Sequence, residues 1–450
     1  MHLKFSTNLN LKFSRESLFM NESTIFMKKK LMKYVFIVVC LAFMSPVLSQ
    51  CDDGRYLDLI FPEVDVESDI LYGNNLNYLN ASTDLFLDVY TPAGDAEDMR
   101  PLVVFAHGGS FVAGSKTGDD VVPLCTDFAR MGYTTASIQY RLGIPLTTDL
   151  ELPATEAVVR GYHDMKAAIR FMRKSVAEDG NPYGINPDEI YIAGVSAGGF
   201  ITLHLAYMDE IEELPTILDL SVDGLTGGLE GDSGNEGYSS EVNGVINICG
   251  ALGDTTWVNS GDEPLLSFHG PFDTTVPYGS ETLTLLGFPV LEVDGSASVS
   301  ERADDIGLLN CFEIYDDQGH VPHVNSVQFY DTTRAIMRNF LAHLVCSEID
   351  LDCTYSPIID LSIGEKLENE KEVLIYPNPA NNKLFLKSDA TNGSVDCVIT
   401  DSFGREVLRK ENFQLDNSLP LDLSGLKSGY YICTIENGES VITKKLLITK

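Results

Sequence analysis

The sequence predicts an α/β fold with a doubly wound, mainly parallel sheet, followed by a small β-sandwich near the carboxyl end. Apolar runs typical of buried parallel strands occur at 102–106, 190–193, 245–249 and 265–269. Helical patterns separate these runs, and the longest covers residues 155–177. After residue 373 the pattern changes to short alternating strands divided by turn residues, which indicates a separate all-β unit.

The elements follow one another in a regular order. Residues 82–90 alternate between apolar and polar side chains, which predicts an early antiparallel strand. Because strands then alternate with helices, the remaining strands are expected to be mainly parallel. The predicted strands are 82–90, 101–106, 133–139, 190–193, 245–249, 265–269 and 311–315, and the predicted helices are 121–131, 155–177, 198–207 and 324–345.

Residues 1–49 have the pattern of a leader with an export signal. Lys28 to Lys30 precede an apolar stretch at 34–43, which is too short to span a bilayer. Met27 is the expected start, and cleavage is expected after Ser49. An alternative is a lipid-anchored protein, since Cys51 follows the apolar stretch closely.

The net charge excludes several classes of partner. The chain carries a formal charge of −35, and the first 50 residues are basic, which leaves about −40 on the rest. Such a surface repels nucleic acids and anionic lipids. We therefore expect no nucleic-acid partner and no stable membrane span.

Export would permit disulfide bonds. Eight cysteines remain after the predicted cleavage, and their spacing fits no zinc site. Cys346 could pair locally with Cys353, and Cys397 with Cys433. Buried free thiols are the alternative for each pair.

The chain is predicted to consist of an α/β domain at 50–353, a polar linker at 354–373 and the β-sandwich at 374–450. Within the α/β domain, residues 209–243 form an acidic, glycine-rich insert. An insert of this length is typical of a lid or binding loop. We expect it either to cover the functional site or to be a solvated loop without function.

Two glycine-bearing motifs indicate serine chemistry. Ser196 occupies the centre of a G-x-S-x-G sequence between a strand and a helix, where a sharp turn exposes the hydroxyl. Upstream, His107 is followed by Gly108 and Gly109, a loop of the kind that donates backbone N–H groups to an oxyanion. Ser196 is therefore the predicted nucleophile. The predicted oxyanion donors are the N–H groups of Gly108, Gly109 and Ala197, with Ser110 as a further candidate.

A serine nucleophile needs a base that takes its proton. In this fold the base comes late in the chain. His320 follows the strand predicted at 311–315 and is the favoured base, and His323 is the competitor.

The acid that orients the base should follow the penultimate core strand. Asp273 lies just beyond the strand at 265–269, and its role would be to hold the imidazole and stabilise the imidazolium. Asp254 and Asp304 are alternatives, although neither follows such a strand.

The stretch from about 84 to 320 resembles the α/β-hydrolase esterases of the carboxylesterase and feruloyl or acetyl-xylan esterase group. The matching residues are Asp88-Val89-Tyr90, His107-Gly108-Gly109-Ser110-Phe111, Tyr140-Arg141-Leu142, Gly194-Val195-Ser196-Ala197-Gly198-Gly199, His269-Gly270, Asp273-Thr274-Thr275-Val276-Pro277 and Gly319-His320. The resemblance implies a carboxylic ester substrate, an acyl-enzyme, and neither cofactor nor metal.

Residues 374–450 resemble the type A sorting domain of the type IX secretion system of Bacteroidota. The matching residues are Tyr376-Pro377-Asn378-Pro379-Ala380, Asp401-Ser402-Phe403-Gly404, Leu423-Ser424-Gly425-Leu426, Ser428-Gly429-Tyr430-Tyr431 and Lys444-Lys445-Leu446-Leu447. The resemblance implies recognition by the type IX machinery and release or attachment at the cell surface. A carbohydrate-binding sandwich is the alternative.

These observations predict a secreted serine esterase that acts on small-molecule or polysaccharide esters, among them acetyl or feruloyl esters. Within the same fold, a serine peptidase is the alternative. A non-catalytic surface binding protein is the alternative of another class, and it would require a missing member of the catalytic set.

Overall fold

The computed structural model describes residues 51, 54–145, 147, 149–285, 288–346, 348–361, 373–388, 394–401, 405–414, 420–436 and 441–450. The chain divides into two compact units, residues 1–362 and 363–450. The predicted leader at 1–49 lies outside the described residues, as does the part of the predicted linker at 362–372.

The first unit is built on an eight-stranded sheet. Its strands are β1 (Val64–Leu76), β2 (Ser82–Pro92), β3 (Arg100–Ala106), β4 (Thr134–Ile138), β5 (Ile185–Val195), β6 (Val245–Ile248), β8 (Leu265–His269) and β11 (Asn310–Ile314). Their order across the sheet is β1-β2-β4-β3-β5-β6-β8-β11. The strands β1 and β2 are antiparallel, and the other six run parallel. A small antiparallel sheet contains β7 (Ala251–Leu252), β9 (Ser280–Leu285) and β10 (Phe288–Gly295).

Among the described residues, five α-helices belong to the first unit; four of them lie between strands of the main sheet in the chain, and the fifth follows its last strand. They are α1 (Val122–Arg130), α2 (Glu151–Asp179), α3 (Ala197–Tyr207), α4 (Ser296–Ile306) and α5 (Val327–Val345). All residues of α3 are buried, so this helix is apolar on every side rather than amphipathic. The observed architecture is that of an α/β-hydrolase, and it confirms the predicted fold class.

The sheet is covered on both faces. All seven residues of β3 are buried. Leu102 and Val104 point into one hydrophobic cluster, whereas Val103 and Phe105 point into the other. This alternation explains why the central strands read as continuous apolar runs.

The sequence patterns did not reveal the hairpin of β9 and β10 or the helix α4. The hairpin contains polar residues on both strands, and Pro289 lies within β10, so no clean alternation signals it. The helix α4 begins with Ser296 and contains three serines, which lower its helix propensity. This segment lies between Asp273 and His320 in the chain.

The cysteine pairing differs from the prediction. Cys346 is bonded to Cys51 rather than to Cys353, and Cys353 is bonded to Cys311. The local pairing of Cys346 with Cys353 is therefore wrong, because Cys51, two residues after the predicted cleavage site, reaches the end of α5. The disulfide also occupies the thiol that a lipid anchor on Cys51 would need.

Residues 354–361, the start of the predicted linker, are held against the first unit. Arg338 donates to the carbonyl and hydroxyl oxygens of Ser356, and Leu59 pairs with Asp360 in a short parallel bridge. The Cys311–Cys353 disulfide brings this segment to the domain surface.

The second unit contains two antiparallel sheets, in agreement with the predicted β-sandwich. Cys397 and Cys433 lie on neighbouring strands with their sulfurs 3.4 Å apart, and both are free thiols in the structure. The strands are β12 (Val373–Tyr376), β13 (Lys383–Ser388), β14 (Ser394–Asp401), β15 (Glu406–Gln414), β16 (Leu421–Asp422), β17 (Gly429–Glu436) and β18 (Val441–Ile448). In the part of the chain that the structure describes, every helix is too short or too polar to cross a bilayer.

Candidate active site

Ser196 lies at a strained turn between β5 and α3. Its backbone has φ +53° and ψ −112°, a conformation that residues other than glycine rarely adopt. The turn requires close backbone contacts on both sides. A Cβ added to Gly194 would lie 2.0 Å from the carbonyl oxygen of Gly198, and a Cβ on Gly198 would lie 2.0 Å from the carbonyl oxygen of Ala106. These contacts explain why the motif has glycine at both positions.

The structure brings the three predicted catalytic side chains into one hydrogen-bonded chain. His320 Nε2 lies 2.8 Å from Ser196 Oγ, and His320 Nδ1 lies 2.6 Å from Asp273 Oδ2. The three side chains come from the ends of β5, β8 and β11 or from the loops after them, which meet at one edge of the sheet.

The carboxylate of Asp273 is held by donors on both oxygens. Its Oδ1 accepts the backbone N–H groups of Thr275 at 2.8 Å and Val276 at 3.0 Å. Burial disfavours the charged carboxylate, but hydrogen bonds from His269 and His320 outweigh burial and hold the pKa of Asp273 well below its usual range. The carboxylate is therefore charged at neutral pH.

The competing residues have other partners. His323 is buried and directs Nε2 to the carbonyl oxygen of Asp120 at 3.3 Å. Asp254 caps a short 3-10 helix by accepting the N–H of Thr256, and Asp304 accepts a hydrogen bond from Asn310. Among the described residues, none of the three is hydrogen-bonded to Ser196 or His320.

The loop before Ser110 differs in one respect from the predicted oxyanion site. The N–H of Gly108 donates to Asp120 Oδ2 at 2.6 Å, so this group is occupied and the prediction for Gly108 is corrected. Within the described residues, the N–H groups of Gly109, Ser110 and Ala197 have no recorded acceptor. Ser110 and Ala197 also line the cavity beside Ser196. The available donors are thus those of Gly109, Ser110 and Ala197.

A cavity of about 370 Å³ opens beside Ser196. Its walls come from α2, α3, the β9–β10 hairpin and the insert. Apolar side chains dominate the lining, among them Phe111, Val158, Phe200, Met208, Leu283 and Val293. No Asp, Glu, Lys or Arg lines it within the described part of the chain.

The single histidine in that lining is uncharged near neutral pH. His204 is buried on α3, and its Nδ1 contacts the carbonyl oxygen of Phe200 at 2.8 Å. Burial lowers the pKa of His204 to about 4. Trp257 packs edge-on against His204 and lines the cavity while being almost fully buried.

The insert 209–243 contacts both the cavity and the body of the domain. Pro215 and Leu218 line the cavity. Further along, Glu230 accepts hydrogen bonds from Lys166 at 2.7 Å and Arg170 at 3.2 Å, both on α2. These ion pairs anchor the insert over α2, and its first part thereby forms a wall of the cavity.

Three groups that can bind a metal lie close together among the described residues. The ligand atoms of Cys249, Asp273 and His320 are within 4.8 Å of one another. Asp273 and His320 are already hydrogen-bonded to each other, and burial raises the pKa of the Cys249 thiol to about 12. We therefore assign Asp273 and His320 to the hydrogen-bonded chain that ends at Ser196 rather than to a metal site.

Two features of the site were not predicted from the sequence. Asp120 binds the loop before the candidate oxyanion donors, and nothing in its sequence context indicates this contact. His269, which the sequence places merely at a strand end, contacts Asp273 Oδ2 at 3.2 Å. The four-residue spacing between His269 and Asp273 in the sequence was the signal from which this contact could have been predicted.

Comparisons with known proteins agree with this architecture. Residues 87–254 match the family model BD-FAE, and residues 374–449 match the secretion system C-terminal sorting domain. The mouse pyrethroid hydrolase Ces2a is 32% identical over 160 residues, which are 35% of this chain and 24% of that protein. Human cocaine esterase is 34% identical over 141 residues, which are 30% of this chain and 23% of that protein.

The chain thus spans about a quarter of the length of the curated relatives it matches. Esterase 2 of Thermogutta terrifontis in its apo form aligns with a TM-score of 0.44 and 21% identity, covering 63% of this chain and 96% of that one. Residues 87–254 are thus similar to the BD-FAE family, and residues 374–449 are similar to the secretion system C-terminal sorting domain.

Proposed function

We propose that the protein is a secreted serine esterase that hydrolyses carboxylic esters through an acyl-enzyme on Ser196. The observation that carries the proposal is the series of hydrogen bonds from Asp273 through His320 to Ser196, which lies beside an uncharged cavity. The similarity to carboxylesterases supports the same activity.

In the first step, Ser196 Oγ attacks the ester carbonyl carbon while its proton moves to His320 Nε2. Asp273 accepts the Nδ1–H of His320 and stabilises the imidazolium. The carbonyl oxygen becomes an oxyanion and accepts hydrogen bonds from Gly109, Ser110 and Ala197.

The tetrahedral intermediate collapses when the bond to the alkoxy oxygen breaks, and the proton on His320 passes to the leaving alcohol. Water then attacks the acyl-enzyme and gives a proton to His320. The second intermediate expels Ser196 Oγ, which regains that proton, and a carboxylic acid is released. One water is consumed, and the three side chains return to their starting states.

The cavity favours esters with one apolar, uncharged group of moderate size. Its volume is about 370 Å³ and its lining is mainly aliphatic and aromatic. An acyl chain or an aromatic acyl group would bury apolar surface there. We therefore include aromatic and aliphatic esters of plant polysaccharides among the substrates.

We also propose that residues 374–450 direct the protein to the type IX secretion machinery, since residues 374–449 match a secretion sorting domain. In a host with this machinery, the full chain should appear as esterase activity outside the cells. A chain that ends at residue 373 should keep its activity inside. Equal export of both chains would contradict the assignment.

The activity is tested with a fluorophosphonate that labels activated serines, followed by a substrate panel. Wild type should be labelled, Ser196→Ala should not, and the exposed control Ser221→Ala should be labelled like wild type. The panel contains p-nitrophenyl acetate and octanoate, methyl ferulate, acetylated xylan and a peptide anilide. Absence of Ser196-dependent labelling would contradict the proposal, and preference for the anilide would favour a peptidase.

A further inference from the structure

A second histidine contacts the carboxylate of Asp273. His269 Nε2 lies 3.2 Å from Asp273 Oδ2, the oxygen that His320 Nδ1 approaches at 2.6 Å. The side chains of His269 and Asp273 are both fully buried. His269 ends β8 and Asp273 follows it by four residues, so one strand end supplies both groups.

The surroundings of His269 show which ring nitrogen carries the proton. Nε2 faces the carboxylate of Asp273 and, at 3.3 Å, the carbonyl oxygen of Val276. Both neighbours are acceptors, so Nε2 must be the donor. Nδ1 lies 2.7 Å from Ser296 Oγ.

The contacts of Ser296 agree with this assignment. Asn247 accepts the N–H of Gly250 with Oδ1, and its Nδ2 therefore faces Ser296 Oγ at 2.9 Å. The hydroxyl hydrogen of Ser296 then has two acceptors, His269 Nδ1 at 2.7 Å and the carbonyl oxygen of Gly250 at 3.4 Å. The nearer acceptor is Nδ1, so this contact is consistent with an Nε2–H that faces Asp273.

This arrangement forms a buried relay from Asn247 through Ser296 and His269 to Asp273. Asn247, Ser296 and His269 are fully inaccessible to solvent, and they come from β6, α4 and β8. Such a fully satisfied polar network fixes its members in one geometry. It does not touch the cavity that would receive the substrate.

We propose that His269 is a positioning residue of the esterase reaction, whose Nε2–H holds Asp273 Oδ2 in place for His320. The inference rests on the proposed function, because it gives His269 a part in that reaction. With His269 present, four donors surround the carboxylate of Asp273. Two backbone N–H groups bind Oδ1, and two histidines bind Oδ2.

The second donor also takes part of the negative charge on Oδ2. Without it, the carboxylate would stabilise protonated His320 more strongly, and the enzyme would become active only at higher pH. Apart from His320, the carboxylate of Asp273 would then be held only through Oδ1, and its Oδ2 would be less firmly fixed. Loss of His269 should therefore change both the rate and its pH dependence.

Three other titratable groups near His269 and Asp273 are uncharged at neutral pH. Burial raises the pKa of the Cys249 thiol to about 12, and burial lowers the pKa of His323. Tyr278 packs its ring against His269 at 5.7 Å, and burial raises its pKa. None of them supplies a charge that would replace the donor lost with His269.

The test compares His269→Leu with His269→Gln in the full chain. Leucine removes the donor, whereas the amide of glutamine can place an N–H near the position of Nε2. For His269→Leu we expect kcat to fall by roughly 10- to 100-fold, as for loss of a hydrogen bond to a charged group, with KM nearly unchanged. The acid limb of the pH–rate profile should move to higher pH. His269→Gln should recover most of kcat and restore the limb.

A control separates positioning from folding. His163 is an equally buried histidine on α2, where Nε2 contacts the carbonyl oxygen of Gly228, and His163→Leu should leave the acid limb in place. If His269→Leu does not fold, Ser296→Ala serves instead. It removes the partner of Nδ1 and should shift the limb in the same direction by less.

The same comparison is made with the rate constant of fluorophosphonate labelling against pH, which needs no known substrate. If wild type shows Ser196-dependent labelling and His269→Leu labels with the same rate and pH dependence, the positioning role is overturned and the esterase proposal stands. If wild type shows no such labelling, both proposals fail. A shift of the limb in His269→Leu that His269→Gln reverses supports the inference.

Discussion

Asp120 accepts the backbone N–H of Gly108 at 2.6 Å and thereby fixes the loop that faces Ser196. An added Cβ on Gly108 would lie 3.3 Å from both the Asp120 carboxylate and Ser196 Cβ, so the three groups are in close contact. With Gly108 held by Asp120, the next two N–H groups of the loop remain available as the proposed oxyanion donors. The carboxylate therefore orders the loop that presents them.

We expect Asp120→Ala to lower kcat by roughly 10- to 100-fold with little change in KM, because a loosened loop aligns the oxyanion donors poorly. Asp120→Asn keeps an oxygen acceptor and should lose less. Asp119 is its exposed neighbour, and Asp119→Ala should resemble wild type. Steady-state kinetics with p-nitrophenyl acetate measures the effect. Full activity of Asp120→Ala would show that Gly108 needs no anchor.

The insert should set the size of the group that the cavity accepts. Leu218 lines the cavity, whereas Val222 is exposed on the same insert. Leu218→Trp should reduce kcat/KM for p-nitrophenyl octanoate by about tenfold or more and leave the acetate nearly unaffected, because the larger ring fills space that a long chain needs. Val222→Trp is the matched control. Equal loss on both esters would argue against a role in size selection.

Stability should fall as pH is lowered from neutral towards pH 4, and His204 should contribute. Its pKa of about 4 in the folded protein lies below the value of about 6.5 expected for the unfolded chain. Between these values the unfolded chain binds a proton that the folded protein does not, so the free energy of unfolding decreases as pH falls. The loss for one such histidine is on the order of 3 kcal/mol.

His204→Phe should flatten this dependence, because phenylalanine does not titrate. Urea unfolding of wild type and variant at a series of pH values between about 7 and 4 measures it. The two curves should converge as pH falls. Parallel curves would mean that His204 is protonated in both states or in neither.

The Cys51–Cys346 disulfide should contribute strongly to stability, since it joins residues 295 positions apart. We expect Cys51→Ala, Cys346→Ala and the double variant each to lower the free energy of unfolding by about 2–5 kcal/mol. The double variant should be no worse than the single ones. Dithiothreitol should bring wild type to their level or below. Additive losses in the double variant would indicate two separate packing effects instead of one bond.

The central part of the fold and the hydrogen-bonded group of Ser196, His320 and Asp273 could be predicted because strong local signals mark them. All residues of β3, β4, β6 and β8 are buried, and the motif around Ser196 needs glycine at two positions for steric reasons. Asp273 and His320 could be placed because each directly follows a core strand.

The remaining features depend on contacts between residues far apart in the chain. The pairing of Cys51 with Cys346 and the contact of Asp120 with Gly108 have no local pattern, because they arise only when distant elements meet. The β9–β10 hairpin lacks a clean alternation because part of it faces the cavity rather than a regular core. The role of His269 was missed because a buried histidine at a strand end is usually structural.

The uncharged cavity has a consequence for turnover. Its lining, as far as the structure describes it, contains no Lys or Arg, and the whole chain carries a net charge of −35. Under the proposed activity, a neutral ester enters such a site without electrostatic cost, but hydrolysis turns it into a carboxylate anion. This product finds no cation to retain it and is repelled by the acidic protein around it. The charge created by the reaction itself thus drives the product out.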